Sequence, residues 1–172
     1  MDAAHRRKTI THILEEAKAP VSAAALAREF SVSRQIIVGD VALLRAAGLD
    51  IAATPRGYVL PKETTGLVRT VACVHPGEAM ARELEIMVDQ GCQVMDVVVE
   101  HPVYGQLSGQ LQVFSRYDAD VFWDALQKNG AQPLCSLTGD IHLHTLVCPD
   151  EARKARVLAA LEEKGYLMGL EK

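Results

Sequence analysis

Two histidines separated by one residue are the sharpest local signal for chemistry in the sequence. His142 and His144 lie in the run Ile141-His142-Leu143-His144-Thr145. This run predicts a β-strand, and side chains at positions i and i+2 of a strand point to the same face. Both imidazoles can therefore point at one metal ion. Alone, such a pair is a weak signal, because many HxH pairs are ordinary surface residues.

His75 and Glu83 extend this pattern to a candidate site of four ligands. His75 ends a predicted strand, and Glu83 follows in the first two turns of the next predicted helix. A carboxylate there can fold back toward the end of the strand. Three imidazoles and one carboxylate suit Zn²⁺, Ni²⁺, Fe²⁺ or Mn²⁺. Spacing alone does not separate Glu83 from Glu78 or Glu85.

Helices and a short hairpin are predicted upstream of these residues. Apolar periodicity and capping residues predict helices over about 5–17, from a Ser22 cap to Phe30, and from a Ser33 cap to Gly48. Two short strands then flank the turn at 54–57. This order is typical of a winged helix-turn-helix domain, in which the third helix enters the major groove of DNA.

The start of the third helix offers side chains that can read DNA. Arg34 can bond guanine bidentately and Gln35 can bond adenine, while Ser33 caps a helix N-terminus that favours a phosphate. Arg56 lies at the tip of the predicted wing, where it can contact the backbone or the minor groove. Gly39, inside the helix, costs about 1 kcal/mol relative to Ala. Close approach of another helix or of DNA would explain it.

A basic cluster near the N-terminus is open to two interpretations. Arg6, Arg7 and Lys8 can hold phosphates beside the predicted DNA-reading helix. They are equally well explained as the solvated face of the first helix.

The charge distribution divides the chain into two parts. The chain has 172 residues and a net charge of −4, but residues 1–61 sum to +2 and residues 62–172 to −6. A polar segment bracketed by Pro and Gly, residues 60–66, is the best linker candidate. We therefore expect one domain over residues 1–61 and a second over residues 67–172, with different partners.

Cysteine spacing and hydropathy bear on the cellular compartment. The cysteines are widely spaced with apolar neighbours and form no CxxC pair: Cys73, Cys92, Cys135 and Cys148. They indicate reduced core residues rather than a disulfide framework or a thiolate metal site. Glu15 and Glu16 interrupt the region where a signal peptide needs an apolar core, and no apolar run is long enough for a membrane span. We expect a cytoplasmic protein without a membrane partner.

The second part predicts an α+β sandwich with the order β-α-β-β-α-β-α and helices on one face of a small sheet. The predicted strands cover about 67–75, 93–100, 106–115 and 140–148. The predicted helices cover about 77–90, an Asp118 cap to 129, and an Asp150 cap to 164.

Several motifs carry a family resemblance over nearly all of residues 5–170. They are Val74-His75-Pro76, the run 82–89, the run 97–105 ending in His101-Pro102-Val103-Tyr104-Gly105, and the run 133–145 containing Leu137-Thr138-Gly139-Asp140-Ile141-His142-Leu143-His144-Thr145. With these motifs the chain resembles the niacin-responsive, NiaR-like transcriptional repressors, whose C-terminal half is the 3H domain. Asp140 stands where the family pattern has Gly, a difference that alters the turn before the strand but leaves both histidines in place.

The resemblance implies roles for particular residues. His75, Glu83, His142 and His144 would ligate a divalent transition metal. His101 and Tyr104 would line or brace the effector site. Nicotinic acid would act as co-repressor on genes for niacin uptake and NAD synthesis. The second domain would resemble the phosphocarrier HPr, and a homodimer would read a two-fold operator.

Two other functions use the same residues. A metal-responsive regulator, in which the divalent ion itself is the signal, needs no further ligand. A metalloenzyme would use the open metal position to activate water, with Glu78 or Glu85 as base. The sequence has no HExxH, no nucleophile motif and no phosphate-binding Gly loop, and an attached DNA-binding domain indicates a regulator. We therefore expect no enzymatic activity.

Overall fold

The computed structural model describes residues 2–169 and divides into two compact units, with the boundary between Glu63 and Thr64. Residues 60–66 belong to neither helix nor strand. Among the described residues, no helix is long and apolar enough to cross a bilayer. Each unit has its own buried core.

The first unit contains three helices and a two-stranded wing within the described residues. Its helices are α1 (Ala3–Glu16), α2 (Ala23–Glu29) and α3 (Arg34–Ala46), and its strands are β1 (Ala52–Thr54) and β2 (Gly57–Val59). Ser22 and Ser33 cap α2 and α3 with their side-chain oxygens, as predicted. The winged helix-turn-helix architecture is confirmed.

The core of the first unit and the anchoring of the wing explain why these short elements hold together. Ile10, Leu26 and Ile37, one from each helix, are fully buried against one another. The wing is tied to the link between α1 and α2 by paired backbone hydrogen bonds between Val21 and Tyr58. A Cβ on residue 57 would lie 2.5 Å from the Val21 carbonyl, so Gly is required there.

A buried carboxylate joins α1 to α3. Asp40 is buried, and its carboxylate accepts from Arg6 at 2.6 Å and faces Arg7 at 3.4 Å. The Arg6 side chain is only 12% exposed. Arg6 is therefore a packed ion-pair partner rather than part of a solvated face. In this geometry Arg6 and Arg7 contribute to the helix packing of the unit, whereas Lys8 is exposed.

The second unit follows the predicted order β-α-β-β-α-β-α, and the α+β class is confirmed. Its strands are β3 (Leu67–Val74), β4 (Gln93–His101), β5 (Gly105–Val113) and β6 (Ile141–Cys148). Its helices are α4 (Met80–Asp89), α5 (Arg116–Lys128) and α6 (Glu151–Glu163), with single 3₁₀ turns at Gly77–Ala79 and Leu134–Leu137.

The strands form an antiparallel sheet in the order β3-β6-β4-β5. β6 is therefore an inner strand, and its register places His142 opposite Cys73 and His144 opposite Val71. Side chains alternate between the two faces of a strand. One face of β6 thus carries both histidines, and that face is buried.

Helices α4, α5 and α6 pack with the sheet around a shared core. The fully buried side chains include Met80, Leu84, Met87, Leu146 and Leu161. On α4, Leu84 and Met87 are buried together with Glu83. A carboxylate inside an apolar helix face requires partners, because burying an unpaired charge is costly.

One helix start differs from the prediction. The prediction that Asp118 caps α5 is wrong, because Ser115 is the capping residue and accepts from the Asp118 amide at 3.2 Å. The Asp118 carboxylate instead accepts from the Phe114 amide at 2.9 Å. The two bonds form a reciprocal arrangement similar to a capping box. The Asp150 cap of α6 is confirmed.

Candidate metal centre and DNA-reading helix

The Glu83 carboxylate lies at the meeting point of three imidazoles. Its oxygens lie 2.8 Å from His75 Nε2, 3.0 Å from His142 Nε2 and 3.3 Å from His144 Nε2. Glu83 is fully buried in the first turn of α4, His75 directly follows β3, and the other two belong to β6. The structure thus brings together the four residues that the family resemblance implies as metal ligands.

Backbone carbonyls orient each imidazole in the same way. Nδ1 of His75 lies 2.9 Å from the Pro76 oxygen, and Nδ1 of His142 lies 2.8 Å from the Asp140 oxygen. Nδ1 of His144 lies 2.6 Å from the oxygen of Asp96. A carbonyl only accepts hydrogen bonds, so each Nδ1 carries the proton. In the neutral ring, each Nε2 then holds a lone pair directed toward Glu83.

His75 Nε2 is a buried polar atom without a hydrogen bond. It lies 2.8 Å from Glu83 Oε2, yet the direction of approach does not make a hydrogen bond, and no other described group serves as a partner. A buried nitrogen in this state is costly unless something else meets its lone pair. A cation between the nitrogen and the carboxylate would do so.

The electrostatics of the cluster favour an ionised Glu83 and protonated imidazoles. Burial alone would raise the pKa of Glu83, but the positive charge of His144 and the hydrogen bonds from His142 and His144 hold its pKa well below the ordinary value. Burial opposes protonation of His75 and His144, yet Glu83 raises the pKa of both. The carboxylate therefore stays ionised and attracts positive charge.

The donor set fits a divalent transition metal. Neutral Nε2 atoms and carboxylate oxygens are all acceptors, so their convergence is repulsive unless a proton or a metal ion lies among them. Three imidazoles and a carboxylate suit Zn²⁺, Ni²⁺, Fe²⁺ or Mn²⁺. The carbonyl bonds to Nδ1 are the outer partners that metal-ligating histidines ordinarily have.

Cys73, which its sequence context predicts to be a core residue, is a neighbour of this cluster. Its Sγ, a Glu83 oxygen and a His142 ring nitrogen all lie within 4.8 Å of one another. Burial, followed by the charge of Glu83, raises the pKa of the Cys73 thiol, so without a metal the group is neutral. Cys73 and His75 have the same i, i+2 spacing as His142 and His144, which was the available signal.

The competing glutamates lie elsewhere. Glu85 pairs with Arg82 at 3.0 Å on the protein surface. Glu78 lies in the 3₁₀ turn after His75 and lines a cleft. The fold thus distinguishes Glu83 from both residues, which spacing did not.

A cleft of about 540 Å³ is lined in part by residues that are close in sequence to two histidines of the cluster. Its lining begins at Pro76, directly after His75, and includes Asp140, whose carbonyl orients His142. The lining residues are Pro76, Gly77, Glu78, Trp123, Leu126, Gln127, Gly130, Ala131, Gln132, Pro133, Ser136 and Asp140. This described lining contains two acids and no Lys or Arg.

His101 and Tyr104 lie on the hairpin between β4 and β5. The His101 ring accepts at Nδ1 from the amides of Val103 at 3.1 Å and Tyr104 at 3.2 Å, so it shapes the turn. The Tyr104 side chain is largely exposed and its ring centroid lies 5.1 Å from that of His101. Neither residue belongs to the described lining of the cleft.

The exposed face of α3 carries the candidate DNA-reading residues. Arg34 and Gln35 are exposed at the first turn, and Ser33 Oγ accepts from the Ile36 amide at 3.3 Å as the helix cap. Farther along, Gly39 is exposed, and a Cβ added there would meet nothing within 4 Å. Packing within the chain therefore does not explain this glycine.

Arg56 lies at the turn of the wing, as predicted. Its side chain is half-buried, and its backbone amide donates to Thr54 Oγ1 at 3.2 Å, which stabilises the turn. The four residues expected to contact DNA thus lie on the first unit, on the cap and first turn of α3 and on the wing.

Comparisons with known proteins agree with this architecture. A family model described as an HTH domain matches residues 6–59, and one described as the 3H domain matches residues 68–170. The two matches define a helix-turn-helix protein with a C-terminal 3H domain.

Two relatives that are similar over nearly the whole chain identify the family. The "Probable transcription repressor NiaR" of Thermotoga maritima is 45% identical over 163 residues, which cover 95% of this chain and 93% of the relative. The "Transcription repressor NadR" of Bacillus subtilis is 40% identical over 169 residues, which cover 96% and 94%. The chain belongs to the NiaR-like family of transcription repressors.

Proposed function

We propose that the protein is a DNA-binding transcriptional repressor that holds a divalent metal and uses nicotinic acid as co-repressor for genes of niacin uptake and NAD synthesis. Residues 1–61 bind operator DNA, and residues 67–172 bind metal and effector. The convergence of three Nε2 atoms on the buried Glu83 carboxylate carries the proposal for the second domain. The niacin assignment rests on the family resemblance.

The metal ligands are His75, Glu83, His142 and His144. The three fixed Nδ1–H groups leave Nε2 as the ligating atom of each histidine. Four protein ligands leave two positions of an octahedral ion for an exogenous ligand. When bound, the ion supplies a positive charge in a site otherwise dominated by a carboxylate.

An anionic effector needs that positive charge. The cleft that begins at Pro76 presents Glu78 and Asp140 and, in its described lining, no basic side chain. A pyridine carboxylate entering it would be repelled by both acids. A metal-ligated carboxylate or ring nitrogen would offset the repulsion, and Trp123 offers an aromatic wall for the ring. His101 and Tyr104 are the other candidate effector contacts.

Helix α3 and the wing bind the DNA. Arg34 and Gln35 contact base edges, Ser33 and the helix N-terminus hold a phosphate, and Arg56 contacts the backbone or minor groove. The exposed Gly39 lets the helix approach DNA closely. A homodimer would place two such helices on a two-fold operator.

The effector acts through differential affinity for two arrangements of the dimer. A ligand that binds both arrangements with equal affinity does not shift the equilibrium between them. Moving their ratio from 1:99 to 99:1 requires about 5.5 kcal/mol of difference. Binding at the metal gives nicotinic acid a site where that difference can arise.

Metal analysis of matched variants tests the centre. Purified wild-type protein should hold about one transition metal ion per chain by elemental analysis. Glu83→Gln should lose most of it, whereas Glu85→Gln, which changes a surface carboxylate two residues away, should retain it. Equal metal content in both variants would overturn the assignment.

Gel shifts test the effector. Metal-loaded protein should bind promoter DNA more tightly with nicotinic acid than without it, and nicotinamide, which lacks the carboxylate, should have a weaker effect. Ala131→Phe, which fills the cleft, should abolish the response if the cleft is used. Tyr104→Ala should abolish it if the hairpin is used instead. No change in affinity at saturating nicotinic acid would refute the niacin assignment.

The alternative is a regulator for which the ion itself is the signal. The same four ligands support it, because a buried, fully oriented donor set can respond to the ion alone. Titrating DNA binding with metal in the absence of nicotinic acid distinguishes the two. A complete switch with metal alone favours the alternative.

A further inference from the structure

A second pair of reactive side chains lies outside the candidate metal centre. Cys92 Sγ and Cys148 Sγ lie 2.7 Å apart, and the two residues are 1% and 0% exposed. Both are free thiols. The proposed metal and effector sites use neither of them.

Strand register brings the two cysteines together. Gln93 of β4 lies opposite Val147 of β6, so the next step outward places Cys92 opposite Cys148. Directly opposed residues of antiparallel strands have Cα atoms about 4.5–5.5 Å apart. A disulfide bridges Cα separations of about 4.4–6.8 Å. The sulfurs can therefore join without a rearrangement of the backbone.

We propose that Cys92 and Cys148 are an oxidisable pair that closes to a disulfide, with a low-molecular-weight disulfide as the oxidant. The Cys92 thiolate attacks one sulfur of the oxidant, breaks its S–S bond and releases one thiol. The Cys148 thiolate then attacks the Cys92 sulfur and displaces the second thiol. The protein loses two electrons and two protons, and the oxidant gains both.

The surroundings assign Cys92 the attacking role. It follows the exposed Gly91, which occupies a turn after α4 with a φ of 76°. Cys92 lies in the connection before β4 and outside the sheet, whereas Cys148 belongs to an inner strand and pairs with Leu67 of β3. Burial and the neighbouring Cys148 thiol raise the pKa of Cys92 to about 12, with Arg153 acting in the opposite direction. The reaction is therefore slow and follows sustained oxidation.

The cross-link would join the start of β4 to the end of β6, the two strands that carry Asp96 and His144. β4 supplies the Asp96 carbonyl that orients His144 of β6. The bond would also close a loop between residues 56 positions apart, which restricts the unfolded chain. The unfolding midpoint of the second unit should rise by roughly 5–15 °C.

Thiol mapping of the full-length chain tests this proposal. The reduced protein is incubated with oxidised glutathione, denatured in an alkylating agent and digested. The expected product has lost two hydrogen atoms, contains a Cys92–Cys148 cross-linked peptide and is alkylated at Cys73 and Cys135. Four alkylated cysteines after prolonged oxidation, or a cross-link between another pair, would overturn the proposal.

Variants refine the result. Cys148→Ser should stop at a glutathione adduct on Cys92, because the resolving thiol is absent. Cys135→Ser removes a buried thiol that is not part of the pair and should still form the cross-link. The wild-type mapping needs no substitution, so it remains decisive if a variant fails to fold. Wild-type unfolding midpoints that are equal with and without the cross-link would refute the predicted stabilisation.

Discussion

His144 Nε2 lies 3.3 Å from Glu83 Oε2, although 61 positions separate the two residues in the chain. Because His144 Nδ1 donates its proton to the carbonyl of Asp96, Nε2 of the neutral ring is an acceptor that faces another acceptor. The contact is favourable only when a proton or a metal ion lies between the two atoms.

This relationship predicts opposite pH dependences with and without metal. When a chelator removes the metal, the protonated forms of His75 and His144 stabilise the fold, because folding raises the pKa of both residues above the ordinary 6.5. This stabilisation is lost as the pH rises through the raised pKa values of the folded protein. The depressed pKa of Glu83 contributes stability that is lost only in strong acid. The unfolding midpoint should therefore fall from pH 6 toward pH 8.

With a divalent metal the slope should reverse, because the metal competes with protons for the same nitrogen atoms. Metal at about 100 times its Kd should add about 2.7 kcal/mol of stability. Calorimetry over pH 6–8 with Zn²⁺ or with EDTA measures both slopes. Parallel slopes would contradict this account, and Glu83→Gln should remove the metal-dependent part.

Asp140 offers a test of backbone strain beside the metal centre. Its φ is 70°, in the left-handed region that glycine adopts at little cost. Asp140→Gly should be more stable than Asp140→Ala by about 1 kcal/mol in denaturant unfolding. Both variants keep the carbonyl that orients His142, so both should retain the metal. Equal stability of the two variants would mean that strain at this turn is negligible.

Asp40 is expected to hold the first unit together. Asp40→Ala leaves Arg6 without its 2.6 Å partner and should lower the unfolding midpoint of that unit by roughly 10 °C. The control is Glu151→Gln, which removes an exposed pair with Arg69 and should change the midpoint little. Calorimetry of the full-length chain compares the two. An unchanged midpoint for Asp40→Ala would show that the ion pair is not structural.

Gly39→Ala should change stability and DNA affinity in opposite directions. The added methyl meets nothing in the chain and should stabilise the helix by about 1 kcal/mol. If α3 approaches DNA closely there, affinity for a selected duplex should fall in gel shifts. Arg34→Ala serves as the reference for loss of a base contact. Wild-type affinity in Gly39→Ala, with loss in Arg34→Ala, would preserve the DNA-binding proposal and remove the role of Gly39.

Some features of the site followed from the sequence and others did not. The HxH spacing predicted that His142 and His144 share a strand face, because strand geometry repeats every two residues. The choice of Glu83 over Glu78 and Glu85 did not follow, since helix spacing alone leaves the position of α4 relative to the sheet undetermined. The Ser115 cap was missed in favour of Asp118, because both residue types favour helix starts.

The sequence by itself determined the order of helices and strands, the fold class of both units and the strand face that His142 and His144 share. These depend on periodicity and capping, which act between near neighbours along the chain. Only the tertiary structure decided that Glu83 meets the three imidazoles, that each Nδ1–H donates to a backbone carbonyl and that Cys92 opposes Cys148. Those facts depend on strand register and helix packing, which join residues that are distant along the chain.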